Sequence, residues 1–465
     1  MRITDLLSIG KEYLLLGVLL AIVLIAVGMI KKKKISANLL VKGAFACYIV
    51  IVVGATLLSR TSYMEGGKIM PLFYSYKEAW VNFSVTAWRN IVLNICMFVP
   101  FGILLPVCVK LCRTWWRTYL AGLAFTIAIE SVQLLTGRGI FELDDVMGNT
   151  AGAIIGYGCF ALGICILKMW KKEKISKILW KKAAAFQVPL VMTVLCFGGV
   201  FYAYHKQELG NIPMQCIVPY DVEKLSIHTD VTFSDEVAEV PVYQCDMLSR
   251  EDTVALANQV LSKLGTQVDN EQNDFYEETA VLRASERYHV WVSYAGGTYE
   301  LTDYDTMFPE KPLVIERNAS EEELREAFEA YGTEVPKDAE LSWDEDAENY
   351  CFFVDQKIGD ACWKKGEIRG TYYENGCFSE VRNSIVEYET YKKFLIISEK
   401  EAYEKLEKGE FNFLSDEKLE IEVLGCELEY RMDSKGFYQP VYVFNSIINQ
   451  VEYKIEIAAI KNGRM

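Results

Sequence analysis

Six long apolar runs fill most of the first 205 residues and indicate that this part of the chain crosses a membrane. A transmembrane helix needs about 20 predominantly apolar residues. The first run precedes four lysines and no small-residue cleavage site follows it, so we interpret it as a retained helix and not as a signal peptide. The predicted spans are residues 13–30, 39–58, 91–112, 118–136, 146–168 and 185–204.

Charge divides the chain into two parts that suit different solvents. Residues 1–205 carry 22 Lys and Arg against 9 Asp and Glu, a net charge of +13, whereas residues 206–465 carry 26 against 54, a net charge of −28. We therefore predict an α-helical integral membrane bundle of about six transmembrane helices, followed by an α+β extracytoplasmic domain. The acidic second part argues against nucleic acid as a partner. The predicted divisions are residues 1–38 (N-terminal transmembrane helix and basic cytoplasmic turn), 39–168 (four-helix membrane domain), 169–205 (basic cytoplasmic loop and sixth transmembrane helix) and 206–465 (acidic extracytoplasmic domain).

Basic connections between the runs predict the orientation of the helices. Cytoplasmic loops of membrane proteins are enriched in Lys and Arg. Three connections have this character, at residues 31–34, 110–117 and 168–182, and all three fall on one side if the six runs span. We therefore predict a multi-pass protein of the bacterial cell membrane, with its N-terminus and its C-terminal domain outside the cell.

Polar residues concentrate where helices of this orientation reach the outer face. Glu130 lies about two turns below the outer end of its predicted helix, roughly 9 Å deep at 1.5 Å per residue. A charge costs about 2.5–3.5 kcal/mol at mid-membrane, so such groups normally face the bundle interior and pair with one another. The candidate site residues are Arg60, Arg89, Asn90, Asn94, Glu130, Gln133, Arg138, Asp144, Asp145 and Asn149.

Each of these residues also has a purely structural interpretation. Asp144 and Asp145 suit a helix N-terminus, Arg138 can extend to the interface, and the asparagines can join helices. As a set, the residues favour a site for something outside the cell, where carboxylates would exchange protons or arginines and amides would bind an anionic group. The residues alone do not choose between these two chemistries. No metal or cofactor motif accompanies them, so we predict neither a metal nor a cofactor.

Several segments of this region resemble the VanZ-like family of bacterial membrane proteins. They are LLSR (57–60), IMPLFYSY (69–76), NIVLNICMFVPFGILLP (90–106), IESVQLLTGRG (129–139) and LDDVMGNTAGAIIGY (143–157). The resemblance covers residues 40–165, and Glu142 departs from it because members commonly carry Asp there. The matching residues are Arg60, Pro71, Asn90, Asn94, Pro100, Phe101, Gly102, Pro106, Glu130, Gln133, Arg138, Asp144, Asp145, Asn149, Gly152, Gly156 and Tyr157.

The resemblance implies a protein of the cell envelope. The founding member of the family is linked to resistance against teicoplanin, a lipid-bearing glycopeptide that acts on peptidoglycan precursors outside the membrane. We therefore expect the bundle to bind a membrane lipid, a lipid-linked cell-wall precursor or another lipophilic ligand at its outer face. Two alternatives stay open: a membrane enzyme that acts on an envelope lipid with Glu130 and Asp145 as the acid–base pair, and a sensor or scaffold that acts through the outer domain. We leave open whether the protein is an enzyme, and we prefer the ligand-binding hypothesis to the enzymatic one.

Residues 206–465 have the sequence pattern of an α+β domain. Three helices begin at a capping serine and end near a glycine, at 249–265, 320–332 and 398–410, and β-rich sequence follows each of them. The third unit loosely resembles YycI and PepSY-like extracytoplasmic modules, which accompany regulatory or inhibitory roles, so an envelope protein partner is also considered. Six cysteines permit up to three disulfides or six free thiols: Cys216, Cys245, Cys351, Cys362, Cys377 and Cys426.

Overall fold

Long apolar helices form the first part of the structure, as the sequence predicts. The computed structural model describes residues 37–58, 69–213, 216–269, 271–276, 278–358, 362–413, 415 and 417–461. Five helices in these ranges have the length and apolar composition to cross a membrane, and the predicted span at 13–30 lies outside the described residues. The helices are α1 (Ala37–Val53, continued by a π-helical turn at Gly54–Leu58), α2 (Tyr74–Asn82), α3 (Val85–Cys108), α4 (Trp115–Thr136), α5 (Leu143–Trp170), α6 (Lys177–Ala185) and α7 (Val188–Lys206), and two short strands, β1 (Ile69–Met70) and β2 (Phe141–Glu142), pair in parallel.

Helices α3 and α5 approach each other so closely that their contact requires glycine. A Cβ atom on Gly152 of α5 would lie 2.0 Å from the carbonyl oxygen of Ile95. From the opposite side, a Cβ atom on Gly102 of α3 would lie 2.1 Å from the carbonyl oxygen of Ala153. Small residues allow membrane helices to pack backbone against backbone. This contact therefore fixes the position of α5 along α3.

A short helix that the sequence analysis missed, α2, lies between α1 and α3. Both of its flanking residues, Phe73 and Phe83, have left-handed backbone conformations, with φ of 68° and 40°. Such conformations are strained for bulky side chains and persist only where surrounding contacts fix them. At the second end these contacts are aromatic, because the Phe83 ring stacks on Tyr204 and lies beside Trp88 and Phe201.

The chain divides into two units, Met1–Glu208 and Leu209–Met465. The second unit contains a large mixed β-sheet, built mainly from antiparallel neighbours. Its strands are β3 (Leu225–Thr229), β4 (Glu239–Cys245), β5 (Asp274–Phe275), β6 (Thr279–Ala284), β7 (Tyr288–Ser293), β8 (Tyr299–Asp303), β9 (Glu340–Asp344), β10 (Asn349–Ile358), β11 (Cys362–Tyr372), β12 (Phe378–Asn383), β13 (Val386–Leu395), β14 (Leu419–Met432), β15 (Phe437–Ile448) and β16 (Val451–Ala458). Its helices are α8 (Arg250–Lys263), α9 (Tyr304–Met307), α10 (Glu321–Ala330) and α11 (Glu399–Glu407).

Two hydrophobic cores form on this sheet, whose main path runs β3-β14-β15-β4-β13-β11-β12-β8-β7-β6-β5. Helices α8 and α10 pack on one half through Leu261, Leu324 and Phe328, all fully buried. Helix α11 packs on the other half, where Leu406 and Phe444 are fully buried. The fold is therefore a helical membrane part followed by an α+β domain, which confirms the predicted fold class.

Three of the helices described in the second unit, α8, α10 and α11, begin where the sequence predicts. Ser249, Ser320 and Ser398 each accept a hydrogen bond from the backbone N–H three residues further on. The capping box is complete at Ser249 and Ser398. Glu323, predicted to close the box on Ser320, accepts a hydrogen bond from the Tyr372 hydroxyl. The glycines that follow have left-handed conformations, as helix ends favour: Gly265 (φ 70°), Gly332 (φ 76°) and Gly409 (φ 73°).

The six cysteines of the second unit are free thiols, which resolves the alternative left open by the sequence in favour of no disulfide among the described residues. Burial is the main cause that raises the pKa of the Cys351 thiol to about 11 and that of the Cys426 thiol to about 12. Both thiols therefore stay protonated at neutral pH. Since the thiolate is the reactive form, neither thiol is activated at neutral pH.

We expect Gly152→Ala to destabilise the bundle and Gly163→Ala, on the same helix, to be tolerated. The added methyl group at position 152 overlaps the Ile95 carbonyl, whereas a Cβ atom at position 163 meets nothing within 4 Å. Alanine favours a helix over glycine by about 1 kcal/mol, so without the overlap both variants would gain stability. Thermal unfolding in detergent should give Gly152→Ala a midpoint about 5 °C or more below wild type. Equal midpoints for the two variants would contradict the close contact.

Candidate functional site

The C-terminal end of α4 is tied by hydrogen bonds to the turn that follows α1. The side-chain Nε2 of Gln133 donates to the carbonyl oxygen of Thr56 at 2.9 Å. The Nη1 of Arg138, just beyond α4, donates to the carbonyl oxygen of Leu57 at 3.0 Å. Arg138 therefore satisfies a carbonyl group at a helix end.

Helix α5 is joined to both of its neighbours by polar side chains. Its Asn149 donates from Nδ2 to the hydroxyl of Thr126 in α4 at 3.0 Å. Its Asp145 accepts a hydrogen bond from the amide of Asn94 in α3. Asp145 and Asn149, one helical turn apart on α5, therefore both face other helices of the bundle.

Glu130 is a buried carboxylate on α4, with 2 % of its surface exposed. Its Oε2 accepts the backbone N–H of Glu142 in β2 at 3.2 Å. The carboxylate of Glu142 in turn accepts the hydroxyl of Ser75 at 3.2 Å, and Met70 of β1 is the ladder partner of Glu142. A buried charge needs such polar partners to offset its loss of water. Glu130 therefore lies directly beneath the two short strands.

Asp144 fastens the start of α2 to the start of α5. Its Oδ1 accepts the backbone N–H of Phe73 at 2.6 Å and its Oδ2 that of Ser75 at 2.8 Å. It thus caps the N-terminus of α2 from another part of the chain. Burial, followed by the charges of Asp144 and Asp145, raises the pKa of the Tyr76 hydroxyl, which places the Tyr76 side chain near both carboxylates and keeps its proton in place. These contacts hold Phe73 in its strained conformation.

Two buried amide oxygens inside this cluster have no hydrogen-bond partner in the described part of the chain. They belong to Gln133, which is 2 % exposed, and Asn149, which is 3 % exposed. An unsatisfied buried acceptor costs about 1–3 kcal/mol, so such groups normally mark a place for water or a ligand. Thr126, Glu130 and Gln133 share one face of α4, and Asn149 contacts that face. The interior of the cluster is therefore rich in acceptors and suits a group that offers O–H or N–H donors.

The structure does not bring every candidate residue into this cluster. Asn90, one turn before Asn94 on α3, is exposed. Arg89 lies about 140° around α3 from Asn94, and its Nε and Nη2 atoms are buried without a hydrogen-bond partner in the described residues. Arg60 falls outside the described residues. Across the described ranges, no group of three or more His, Cys, Asp or Glu side chains could hold a metal ion.

Sequence reasoning missed the members of the cluster that act through backbone atoms. Thr56 and Leu57 contribute carbonyl oxygens, and Phe73 contributes an N–H group. No side-chain pattern reports such roles, because every residue except proline carries both groups. Thr126, by contrast, was predictable from the sequence, since it precedes Glu130 by one helical turn on the same face.

These helices coincide with a known family of membrane proteins. Residues 45–167 match the family model described as VanZ/LLP1. The chain therefore contains a VanZ-like domain. All ten candidate site residues fall within the VanZ-like domain, as do helices α3 and α4 and most of α1 and α5. Together with the candidate membrane-spanning helices, this domain makes the chain a membrane protein, as predicted.

Comparisons with individual proteins add less. No curated protein matches the chain. An uncharacterized protein from Eubacterium rectale is 12 % identical, with 52 % of this chain and 89 % of that chain covered and a TM-score of 0.26. The Bacillus megaterium YpeB C-terminal domain is also 12 % identical, with 47 % of this chain and 100 % of that chain covered and a TM-score of 0.20. Because both TM-scores are low, the resemblance to YycI and PepSY-like modules stays a prediction.

We expect Asp144→Ala to loosen the start of α2, since it removes the acceptor for two backbone N–H groups. Hydrogen exchange of the purified protein should accelerate at Phe73 and Ser75 by about tenfold, the equivalent of one charge-assisted hydrogen bond of about 1.5 kcal/mol. Asp145→Ala is the matched control, because it removes an adjacent carboxylate that contacts Asn94 instead. Unchanged exchange at both amides in Asp144→Ala would show that other contacts hold the segment.

Proposed function

We propose that the protein acts in the cell envelope and that its VanZ-like domain binds a lipid-linked cell-wall precursor or another lipophilic ligand at the outer membrane face. The observation that carries this proposal is the pair of unsatisfied amide oxygens of Gln133 and Asn149 beside the Glu130 carboxylate. A bundle that served only as an anchor would gain stability from apolar groups at these positions.

The chemistry of the cluster indicates which part of a ligand would enter it. Carboxylate and amide oxygens accept hydrogen bonds, so hydroxyl, amide N–H or ammonium groups complement them. Lipid-linked cell-wall precursors and lipid-bearing glycopeptides both carry hydroxyl and amide groups next to an apolar chain. The donor groups of such a ligand would bind near Glu130.

An apolar surface at the same end of the domain suits the other part of the ligand. Ile69, Leu72 and Phe73, which precede α2, are all exposed. Asp144 holds this segment next to the polar cluster through the Phe73 N–H. Exposed apolar side chains grouped beside a polar cluster favour a molecule that has an acyl or isoprenoid chain attached to a polar group.

The distribution of basic residues supports an outward-facing site. Residues 110–117 follow α3 and residues 168–182 follow most of α5, so both basic segments lie at the helix ends opposite the cluster. Because basic connections stay in the cytoplasm, the cluster would face the outside. The same bias would place residues 206–465 outside the cell, in keeping with their acidic composition.

Teicoplanin tolerance of a sensitive Gram-positive host tests the proposal. We expect wild type to raise tolerance and Glu130→Ala to abolish it, whereas Glu130→Gln should keep part of it, because Gln still accepts hydrogen bonds. Loss of one charge-assisted hydrogen bond weakens binding by about tenfold. Asn90→Ala, at an exposed position of α3, is the control and should behave like wild type. Membrane levels of all variants are matched by immunoblot.

Each outcome separates the open alternatives. Equal inactivity of Glu130→Gln and Glu130→Ala would favour proton transfer and the enzymatic hypothesis, because only the carboxylate can exchange a proton. Full tolerance in Glu130→Ala would mean that the buried carboxylate is structural. No tolerance from wild type would contradict the link to glycopeptide resistance.

A further inference from the structure

One face of the sheet in the second unit carries aromatic and charged side chains in place of a core. Strands β6, β7 and β8 turn Leu282, Val290 and Leu301 toward helices α8 and α10. Residues paired across neighbouring strands point to the same face. Val281, Trp291 and Glu300 are such partners on β6, β7 and β8, and they lie on the face opposite the core. We call the surface formed by Val281, Trp291 and Glu300 the aromatic face.

Two exposed rings are stacked at the edge of the aromatic face. Tyr276, directly after β5, and Trp291 are each 43 % exposed, and their rings are parallel within 6°, with centroids 6.3 Å apart. Val281, the register partner of Trp291, is only 1 % exposed although it belongs to this face. Side chains on the same face must therefore cover Val281, and its neighbours there include these two rings.

Charged groups of both signs surround the ring pair. On one side, the Arg283 Nη2 and the Asp274 Oδ2 form an ion pair at 3.0 Å. On the other side, Glu300 is the register partner of both Trp291 and Arg382. The rim of the aromatic face thus offers several donors and acceptors of both signs close to the rings.

A neutral imidazole adds a further donor and acceptor. His289 is two residues before Trp291 on β7 and therefore faces the same way. Burial, followed by the charge of Arg283, lowers the pKa of His289, so the ring is uncharged at neutral pH. An uncharged imidazole donates from one nitrogen and accepts at the other.

We infer that the aromatic face is a saccharide-binding site. The apolar face of a pyranose ring stacks on an aromatic ring, while its hydroxyl groups need donors and acceptors at the rim. Charged partners of both signs match a hydroxyl group, which both donates and accepts, better than they match a strongly charged ligand. A net charge of −28 over residues 206–465 also disfavours an anionic lipid surface.

Binding of the full-length protein to a printed array of hexose and N-acetylhexosamine oligosaccharides tests this inference. The protein is presented in lipid nanodiscs, because maltoside and glucoside detergents are themselves saccharides. The affinity for the best-retained oligosaccharide is then measured by titration calorimetry. We expect Trp291→Ala and Tyr276→Ala each to weaken it by about tenfold or more, because each removes a stacking ring.

Two further variants separate binding from folding. Tyr391→Ala removes a ring that is 42 % exposed on β13, outside the aromatic face, and should bind like wild type. Trp291→Phe keeps a ring over Val281 and should retain part of the affinity with an unchanged thermal midpoint. Retention of no oligosaccharide by wild type would overturn the inference. So would wild-type affinity in Trp291→Ala, or an equal loss in Tyr391→Ala.

Discussion

The backbone contact between α3 and α5 is the constraint on which the rest of the membrane unit depends. Because Gly152 lies against the Ile95 carbonyl, the two helices pack in this register only while position 152 lacks a side chain. In this register Asn94, one residue before Ile95, meets Asp145, seven residues before Gly152, and the two side chains form a hydrogen bond. The apolar contact therefore positions the polar one, and lipid penalises any other register because it would leave both groups unpaired.

Much of the membrane unit could be predicted because lipid imposes a simple rule on sequence. Helices that cross it must be long and apolar, and the predicted spans at 118–136 and 146–168 lie within α4 and α5. That the polar residues gather at one end of the helices could be predicted from the same rule, because lipid excludes unpaired polar groups. The individual hydrogen bonds of the cluster could not be predicted, because they depend on how the helices pack. Helix α2 was missed for a related reason, since its nine residues are held by Asp144 and by aromatic contacts from outside its own sequence.

In the second unit, the sequence signals that act over a few residues predicted helix starts and strands correctly. Capping serines begin α8, α10 and α11, and strand β14 (Leu419–Met432) lies in the β-rich sequence predicted after the third helix, where apolar residues alternate with charged ones. Strands such as β13 (Val386–Leu395) were missed, because exposed lysines and an exposed apolar residue interrupt their alternation. The aromatic face was missed as well, since only the pairing of β6, β7 and β8 shows that Val281 and Trp291 share a side.

The way in which Asp144 binds α2 has a consequence for sequence variation. Its carboxylate accepts hydrogen bonds from the backbone N–H groups at positions 73 and 75, and these bonds do not depend on which side chains stand there. Substitutions there can change the apolar surface that the segment presents while the attachment persists, with proline as the exception because it lacks the N–H group. The side chain at position 73 can therefore vary while Asp144 keeps the segment attached to the start of α5.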